Sequence, residues 1–243
     1  MLSVRRMTEP VPALVTVHLW RVPVRNVPAA LGRVAIDRRR VCALPGVRFA
    51  KVLGTGSGRT FTPRDAQPRR WGLLTTWADV AAAAAFERSG PGRGWARIAD
   101  EACRLELRPL TARGRWSGRQ PFGMPEGVHH VGWDGPVAAV TRARLAVRRT
   151  AAFRRAVPAV AADLRDRPGL RLALGIGELP VGLQGTLSLW DSATALRAFA
   201  YHGAPHRAAV DRTPTEGWYT EELFARFAVL SASGTVDGEG LLP

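Results

Sequence analysis

Two histidines in the second half of the chain could take part in metal or cofactor chemistry. His202 and His206 lie four residues apart in the stretch AFAYHGAPHRAAV, and imidazoles at this spacing share one face of a continuous helix. Gly203 and Pro205 lie between them. Proline clashes inside a helix but suits the first turn of a new one. We therefore expect the helix to end near His202. This disfavours a two-histidine metal site and leaves His206 as a single axial ligand or as a capping or surface histidine.

The remaining histidines and the two cysteines form no metal-binding pattern. His129 and His130 are adjacent and point in divergent directions, so one of them could line a pocket but a paired site is disfavoured. His18 lies in an alternating strand, and alternation alone does not decide which face it occupies. Cys42 and Cys103 form no CxxC pair, so we expect two buried, reduced thiols.

The glycine-rich stretch GTGSG at 54–58 resembles a phosphate-binding loop only superficially. It follows a strand and leads into RTFTP rather than into the start of a helix, so the helix dipole that would hold a phosphate is missing. A glycine-rich hairpin end is therefore predicted. The chain contains no GxSxG, HExxH or P-loop motif.

The charge of the chain points to no single class of partner. Its 243 residues carry a formal net charge of +15, which favours nucleic acid, an anionic membrane surface or an acidic substrate. Lys51 is the only lysine, and the arginines are scattered without a nucleic-acid motif. We expect no specific nucleic-acid binding and leave loose membrane association open for a lipid-like substrate. The absence of a signal peptide or transmembrane run predicts a cytoplasmic protein.

An internal repeat organises the chain. PGVRFA at 45–50 matches PGLRLA at 168–173, and GLLTTW at 72–77 matches GTLSLW at 185–190. An acidic residue and an alanine-rich helical stretch follow the tryptophan in both halves. The first match is offset by 123 residues and the second by 113, so the first half has a connection about ten residues longer.

The order of elements in each half predicts an α+β fold of two tandem ferredoxin-like βαββαβ repeats. Strands are predicted in LVTVHLWRV, VRFAKVLG, WGLLTTW and CRLELRPL, and again in PVAAVTRARLAV, LRLALGIG, LQGTLSLW and ARFAVLSASG. Helices are predicted after the first and third strand of each half, with a further helix starting at Glu221 and Glu222. Two such halves can pair their open sheet faces into one barrel within the chain, of the dimeric α/β barrel type. The predicted halves are residues 1–112 and 136–243, joined by a Gly/Pro/Trp-rich linker at 113–135.

Eight ordered blocks of this sequence resemble those of spheroidene monooxygenase-like proteins. They are KVLGTGSGRTFTP, WGLLTTW, RGRWSGRQPF, AVTRARL, PGLRLALGIGELP, LQGTLSLWDS, AFAYHGAPHRAAV and GWYTEELFARFAVL. The resemblance covers nearly the whole chain after about residue 14. It implies a haem-containing oxygenase with a dimeric α/β barrel type of fold. The named member of the family oxidises an acyclic carotenoid to a keto product with molecular oxygen. Related haem barrels include chlorite dismutases, dye-decolorising peroxidases and aldoxime dehydratases, so the scaffold does not fix the reaction.

The resemblance also selects site residues. His206 matches the histidine that follows the AFAY block and is implied to bind the haem iron, with haem b as cofactor. Because the first half has no histidine in the corresponding place, one haem per chain is expected. Lys51 and Arg142 match charged positions of the blocks, and either is implied to polarise the iron-bound group or to hold a haem propionate. Pocket-lining roles, or ordinary packing as the alternative, are expected for Trp116, Ser117, Phe122 and Gln184. The 113–135 linker is accordingly expected to line the pocket.

These expectations lead to a haem-dependent monooxygenase that acts on an apolar or hydroxylated organic substrate with molecular oxygen. No flavin or iron–sulfur motif is visible, so a separate reductase or ferredoxin is implied as electron donor. Two alternatives stay open. One is a haem enzyme of specialised metabolism that acts on an N–O or N–N group without external electrons. The other is a non-catalytic haem-binding or ligand-binding barrel.

Overall fold

The computed structural model describes residues 9–59, 63–123, 132–145, 164, 167–178, 185–202 and 219–242. In these ranges the chain forms a closed barrel of eight strands in which every neighbouring pair is antiparallel. The strands are β1 Leu14–Arg21, β2 Val47–Gly56, β3 Ala66–Trp77, β4 Glu101–Gly114, β5 Val137–Leu145, β6 Leu170–Gly177, β7 Gly185–Trp190 and β8 Tyr219–Gly234. The α-helices are α1 Val27–Cys42, α2 Val80–Ala85, α3 Gly90–Ile98 and α4 Ala193–His202. The fold is therefore α+β, as predicted.

Both halves of the chain contribute their strands in the same order. The barrel runs β1-β3-β2-β6-β7-β5-β8-β4 and then closes on β1. The first half thus reads β4-β1-β3-β2, and the second half reads β8-β5-β7-β6. The halves join where β2 pairs with β6 and where β4 pairs with β8. Matching positions of the two halves can therefore be identified from the strand register.

Strand alternation divides the side chains between the barrel interior and the outer face. In β1, Val15, Val17 and Leu19 belong to the interior core, whereas Leu14 and Trp20 pack in a second core outside the barrel. This is the arrangement expected of strands that are covered on both sides, because successive side chains point to opposite faces. The interior is filled mainly by aliphatic and aromatic side chains from all eight strands.

Three helices cover the outer face of the first half. Helix α1 starts with Pro28 in its first turn and buries Ala30 and Val41. Asp79 caps α2 by accepting from the backbone N–H of Ala82, and Ser89 caps α3 through the N–H of Gly92. Helix α3 was not predicted, because its GPGRG start reads as a turn although the Ser89 cap and the buried tryptophan of the following turn stabilise it.

In the second half, α4 packs on the outer face through Phe199, whose ring stacks on Trp190 at 5.5 Å between centroids. This confirms the helix predicted after the third strand of the second half. The helix predicted after the first strand of the second half lies outside the described residues, apart from the helical Leu164, and so do the linker residues 124–131. In the described part of the chain, no helix is long and apolar enough to cross a membrane.

Two predictions need correction. Glu221 and Glu222 do not start a helix but lie in β8, where Leu223, Ala225 and Phe227 alternate into the barrel interior. A strand forms here because both edges of this segment find backbone partners, in β4 and in β5. Cys42, expected to be buried, is exposed near the end of α1, whereas Cys103 is buried as expected. Burial raises the pKa of the Cys103 thiol to about 11.

Candidate functional site

One end of the barrel interior holds a network of charged side chains from both halves. Lys51 is on β2 and faces inward between Phe49 and Leu53, both of which belong to the interior core. Its Nζ donates to Glu178 Oε2 at 2.6 Å and to Ser117 Oγ at 2.7 Å. Glu178 directly follows β6, in the inward phase of that strand. The contact therefore joins the first half of the chain to the second.

Arg142 completes the network from β5. Its Nη2 donates to Glu178 Oε1 at 3.1 Å, and its Nη1 donates to Glu221 of β8. Trp116 donates its indole N–H to the same Glu178 oxygen at 2.6 Å, and its ring lies 5.8 Å from the Arg142 guanidinium carbon. Arg142 is only 2% exposed, and these two carboxylates compensate its buried charge.

Both carboxylates of this network have low pKa values. Burial alone would raise the pKa of Glu178, but hydrogen bonds from Lys51 and Trp116 and the two cationic charges lower it below its ordinary value. Burial likewise opposes the shift at Glu221, whose pKa is lowered by the backbone N–H groups of Gly118 and Ser117 and by Arg142. Both groups are therefore carboxylates at neutral pH.

The network fastens a turn across the barrel end. Residues 115–119 follow β4 and form a tight turn closed by a bridge between Trp116 and Arg119. Ser117 adopts a positive φ of 55° at its tip. Glu221 accepts from the backbone N–H groups of Ser117 and Gly118 at 2.9 and 2.7 Å. Trp116, which is 1% exposed, thereby fills this end of the interior.

Four of the predicted site residues thus come together: Lys51, Arg142, Trp116 and Ser117. Phe122 lies in the same core, with its ring 4.8 Å from that of Phe227. Gln184 and His206 lie outside the described residues.

Glu178 and Glu221 were missed as members of the site. The signal for Glu178 was present, because the inward alternation Leu174, Ile176 continues to position 178.

The outer face of the second half differs sharply from that of the first. His18 of β1 pairs with Leu73 of β3, and Val52 of β2 pairs with Leu73 on its other side. In the second half, Thr141 of β5 pairs with Thr186 of β7, which also pairs with Gly175 of β6. At these positions His18, Val52 and Leu73 of the first half thus have the smaller counterparts Thr141, Gly175 and Thr186 in the second. Two residues further along the strand, Trp20 of β1 corresponds to Ala143 of β5.

We call the outward positions Thr141, Ala143, Gly175 and Thr186 the outer ledge. In the first half, the corresponding large side chains fill the space beneath the helices together with Phe86 and Trp95 of the helical layer. In the second half, the described helix α4 packs at the other end of the face, on Val137 and Trp190. The outer ledge therefore carries only small side chains, and two of its members, Ala143 and Gly175, are buried.

In the first half, the His18 ring packs against neighbouring aromatic rings. Its ring lies between Trp20 and Phe86, with centroids 5.3 and 4.7 Å away, and its Nε2 lies 3.0 Å from Glu87 Oε1. Burial lowers the pKa of His18, although the hydrogen bond to Glu87 opposes that shift. Within the described ranges, no group of three or more His, Cys, Asp or Glu side chains is arranged to hold a metal ion.

Comparison with known proteins identifies close relatives. Spheroidene monooxygenase of Rhodobacter capsulatus is 35% identical over 215 residues, which are 88% of this chain and 88% of that protein. Spheroidene monooxygenase of Rubrivivax gelatinosus is 40% identical over 209 residues, which are 85% of this chain and 78% of that protein. No protein-family model matches the chain.

Among solved structures, aldoxime dehydratase in complex with butyraldoxime superposes with a TM-score of 0.61 at 11% identity, covering 94% of this chain and 84% of that one. A further aldoxime dehydratase structure has a TM-score of 0.58 at 12% identity and covers 99% and 94% of the two chains. At this identity the likeness concerns the fold alone.

Proposed function

The chain belongs to the spheroidene monooxygenase family and is a monooxygenase, and on that premise we propose that it works with one haem bound at the outer ledge. Its proposed substrate is an apolar or hydroxylated organic molecule of the kind named by its relatives. The observation that carries the proposal is the loss of every large side chain from the outer ledge, at positions that the other half fills.

The residues present fit a planar cofactor. Gly175 has no side chain and Ala143 only a methyl group, so a flat macrocycle can approach the strands of the second half closely. Thr141 and Thr186 place hydroxyl groups on the same surface, which suits hydrogen bonding to a polar group held there. Haem, when bound, supplies the iron chemistry by which a monooxygenase activates molecular oxygen.

His206 is the proposed iron ligand. The sequence places it four residues after the end of α4, the helix that packs on the outer face of the second half. A neutral imidazole is a good iron ligand, and its second nitrogen is free to donate to a carbonyl or carboxylate that fixes the tautomer. His202, the last residue of α4, is the natural control.

Lys51 and Arg142 are proposed to act as positioning residues. Both point into the barrel, whereas the outer ledge is on the outside of the same strands. Arg142 lies between Thr141 and Ala143, and Glu178 follows Gly177, so the network holds β5 and β6 from within. Direct contact of either cation with the cofactor, and cofactor contact by Trp116, Ser117 or Phe122, would require the cofactor to enter the packed interior. Cofactor contact by Gln184 stays a prediction.

The two halves are proposed to be tandem ferredoxin-like units forming a dimeric α/β barrel type of fold within one chain. The common strand order and the matching registers support this. The described part of the 113–135 linker includes the turn that closes the barrel end. Molecular oxygen and a ferredoxin or reductase are the proposed partners of the reaction. A cytoplasmic location stays a prediction.

The test is reconstitution of the purified chain with hemin, followed by absorbance spectroscopy. We expect a Soret band at about one haem per chain, loss or a shift of that band in His206→Ala, and an unchanged band in His202→Ala. Reduction by a ferredoxin system in the presence of oxygen and an acyclic carotenoid should then give an oxygenated product.

Protein that stays colourless with hemin would overturn the cofactor proposal. Loss of the band in His202→Ala but not in His206→Ala would overturn the ligand assignment. A full Soret band together with oxygenation of a different apolar compound would change the proposed substrate and leave the cofactor proposal intact.

A further inference from the structure

The exposed side of α1 carries both apolar and cationic side chains. Its first turns expose small residues around two large ones, Leu31 at 46% and Ile36 at 51% exposure. Val24, just before the helix, is 70% exposed. Among the described residues, six large hydrophobic side chains are exposed, and these three lie between positions 24 and 36. Leu31 and Ile36 are five residues apart in α1, so they lie on the two flanks of its exposed side, about 140° apart around the helix axis.

The last turn of the same helix is cationic. Arg38, Arg39 and Arg40 are all exposed. Asp37 is the only acidic residue of α1, and it is 1% exposed and lies 3.4 Å from Arg33. The exposed side of α1 therefore carries positive charge without a compensating carboxylate from its own helix.

The neighbouring helix extends this charge. Helix α3 packs beside α1 and exposes Arg93 and Arg97, and its sequence GPGRGWARI contains no acidic residue. We call five exposed residues of α1, namely Leu31, Ile36, Arg38, Arg39 and Arg40, the α1 surface.

We propose that the α1 surface docks on an anionic phospholipid bilayer. Leu31 and Ile36 enter the headgroup region, and the three arginines contact lipid phosphates, as in interfacial helices that lie on a membrane. The α1 surface is in the first half of the chain and the outer ledge is in the second, so this inference does not depend on a cofactor.

The charges favour a bilayer over the other possible occupants. A second copy of the chain would bring two arginine clusters close together without an acidic group on α1 to neutralise them. A nucleic acid would satisfy the arginines but would leave Leu31 and Ile36 without apolar contacts. An anionic bilayer satisfies both kinds of residue at once.

The test is flotation of the full chain with unilamellar vesicles of phosphatidylglycerol and phosphatidylcholine, compared with vesicles of phosphatidylcholine alone. We expect binding to the anionic vesicles that weakens as salt rises. The triple substitution R38Q/R39Q/R40Q should weaken binding by on the order of a hundredfold at low salt, at about fivefold per arginine. L31S/I36S should weaken it at low and at high salt alike.

The matched control is R64Q/R144Q/R197Q, which removes the same charge from exposed positions outside α1 and α3 and should bind within about threefold of the unsubstituted chain. If the control variant loses as much binding as the triple α1 variant, net charge alone explains the binding, and the proposal that the α1 surface docks on the bilayer is overturned.

Binding to a random DNA duplex but not to vesicles, or a dimer that dissociates in L31S/I36S without vesicle binding, would overturn it as well. The Soret band measured on the same preparations reports the proposed cofactor separately, because vesicle binding is read from the protein alone.

Discussion

Lys51 and Glu178, which are 127 residues apart in the chain, meet at 2.6 Å between Nζ and Oε2 inside the barrel. Glu178 also accepts hydrogen bonds from Arg142 and Trp116, so one carboxylate binds two cations and an indole N–H. The contact ties β2 of the first half to the end of β6 in the second, near the place where these strands pair.

Glu178→Gln should destabilise the protein more than Lys51→Met. The glutamine leaves Lys51 without a carboxylate partner and Arg142 with Glu221 alone, which costs about 3 kcal/mol. In Lys51→Met the carboxylate keeps Arg142 and the methionine replaces much of the lysine stem, so the loss is about 1 kcal/mol. Urea unfolding measures both. A larger loss in Lys51→Met would show that Glu178 is not the centre of the network.

The stability of the protein should fall below about pH 6.5 because of His18. Burial lowers the pKa of His18 in the folded protein from 6.5, so the unfolded chain binds more protons between that lowered pKa and 6.5. Stability therefore is full above 6.5 and decreases as pH falls through this window. His18→Asn should flatten the pH dependence of the urea midpoint between pH 5 and 7. If the urea midpoint of that variant depends on pH as steeply as before, groups other than His18 cause the loss of stability.

Gly114→Ala should be far more damaging than Gly118→Ala. Both glycines have positive φ, 84° and 74°. A Cβ on Gly114 would lie 2.2 Å from the Glu222 carbonyl oxygen, whereas a Cβ on Gly118 would meet nothing within 4 Å. We expect about 3 kcal/mol for Gly114→Ala and about 1 kcal/mol for Gly118→Ala. Thermal unfolding measures the loss of stability in each variant. Similar losses in the two variants would mean that the end of β4 shifts away from β8 without cost.

Filling the outer ledge should weaken haem binding while leaving the fold intact. Gly175→Val and Thr186→Leu together reproduce the residues Val52 and Leu73 that the first half carries at these positions. Hemin titration should show at least a tenfold weaker affinity, because the added side chains occupy the space proposed for the macrocycle. The control is Ala198→Val on the exposed side of α4. Unchanged hemin affinity in a folded double variant would place the cofactor elsewhere.

The sequence predicted much of the fold because its signals are local. Alternating apolar residues gave all eight strands, and the repeat of GLLTTW in GTLSLW matched β3 with β7. Lys51 and Arg142 were selected by the resemblance to the family rather than by a local pattern, and both face the same interior site. Helix α3 was missed because glycines and a proline hide a helix that its cap and its buried tryptophan stabilise.

What the sequence by itself determined is the period of each strand and the identity of the small residues in the second half. Only the tertiary structure decided which face is inside, because alternation fixes two faces but barrel closure chooses between them. Closure turned Lys51 and Arg142 inward, onto carboxylates distant in the chain, and turned Gly175 and Thr186 outward. The strand register then showed which large residues of the first half correspond to these small residues, a comparison that requires the pairing of strands in both halves.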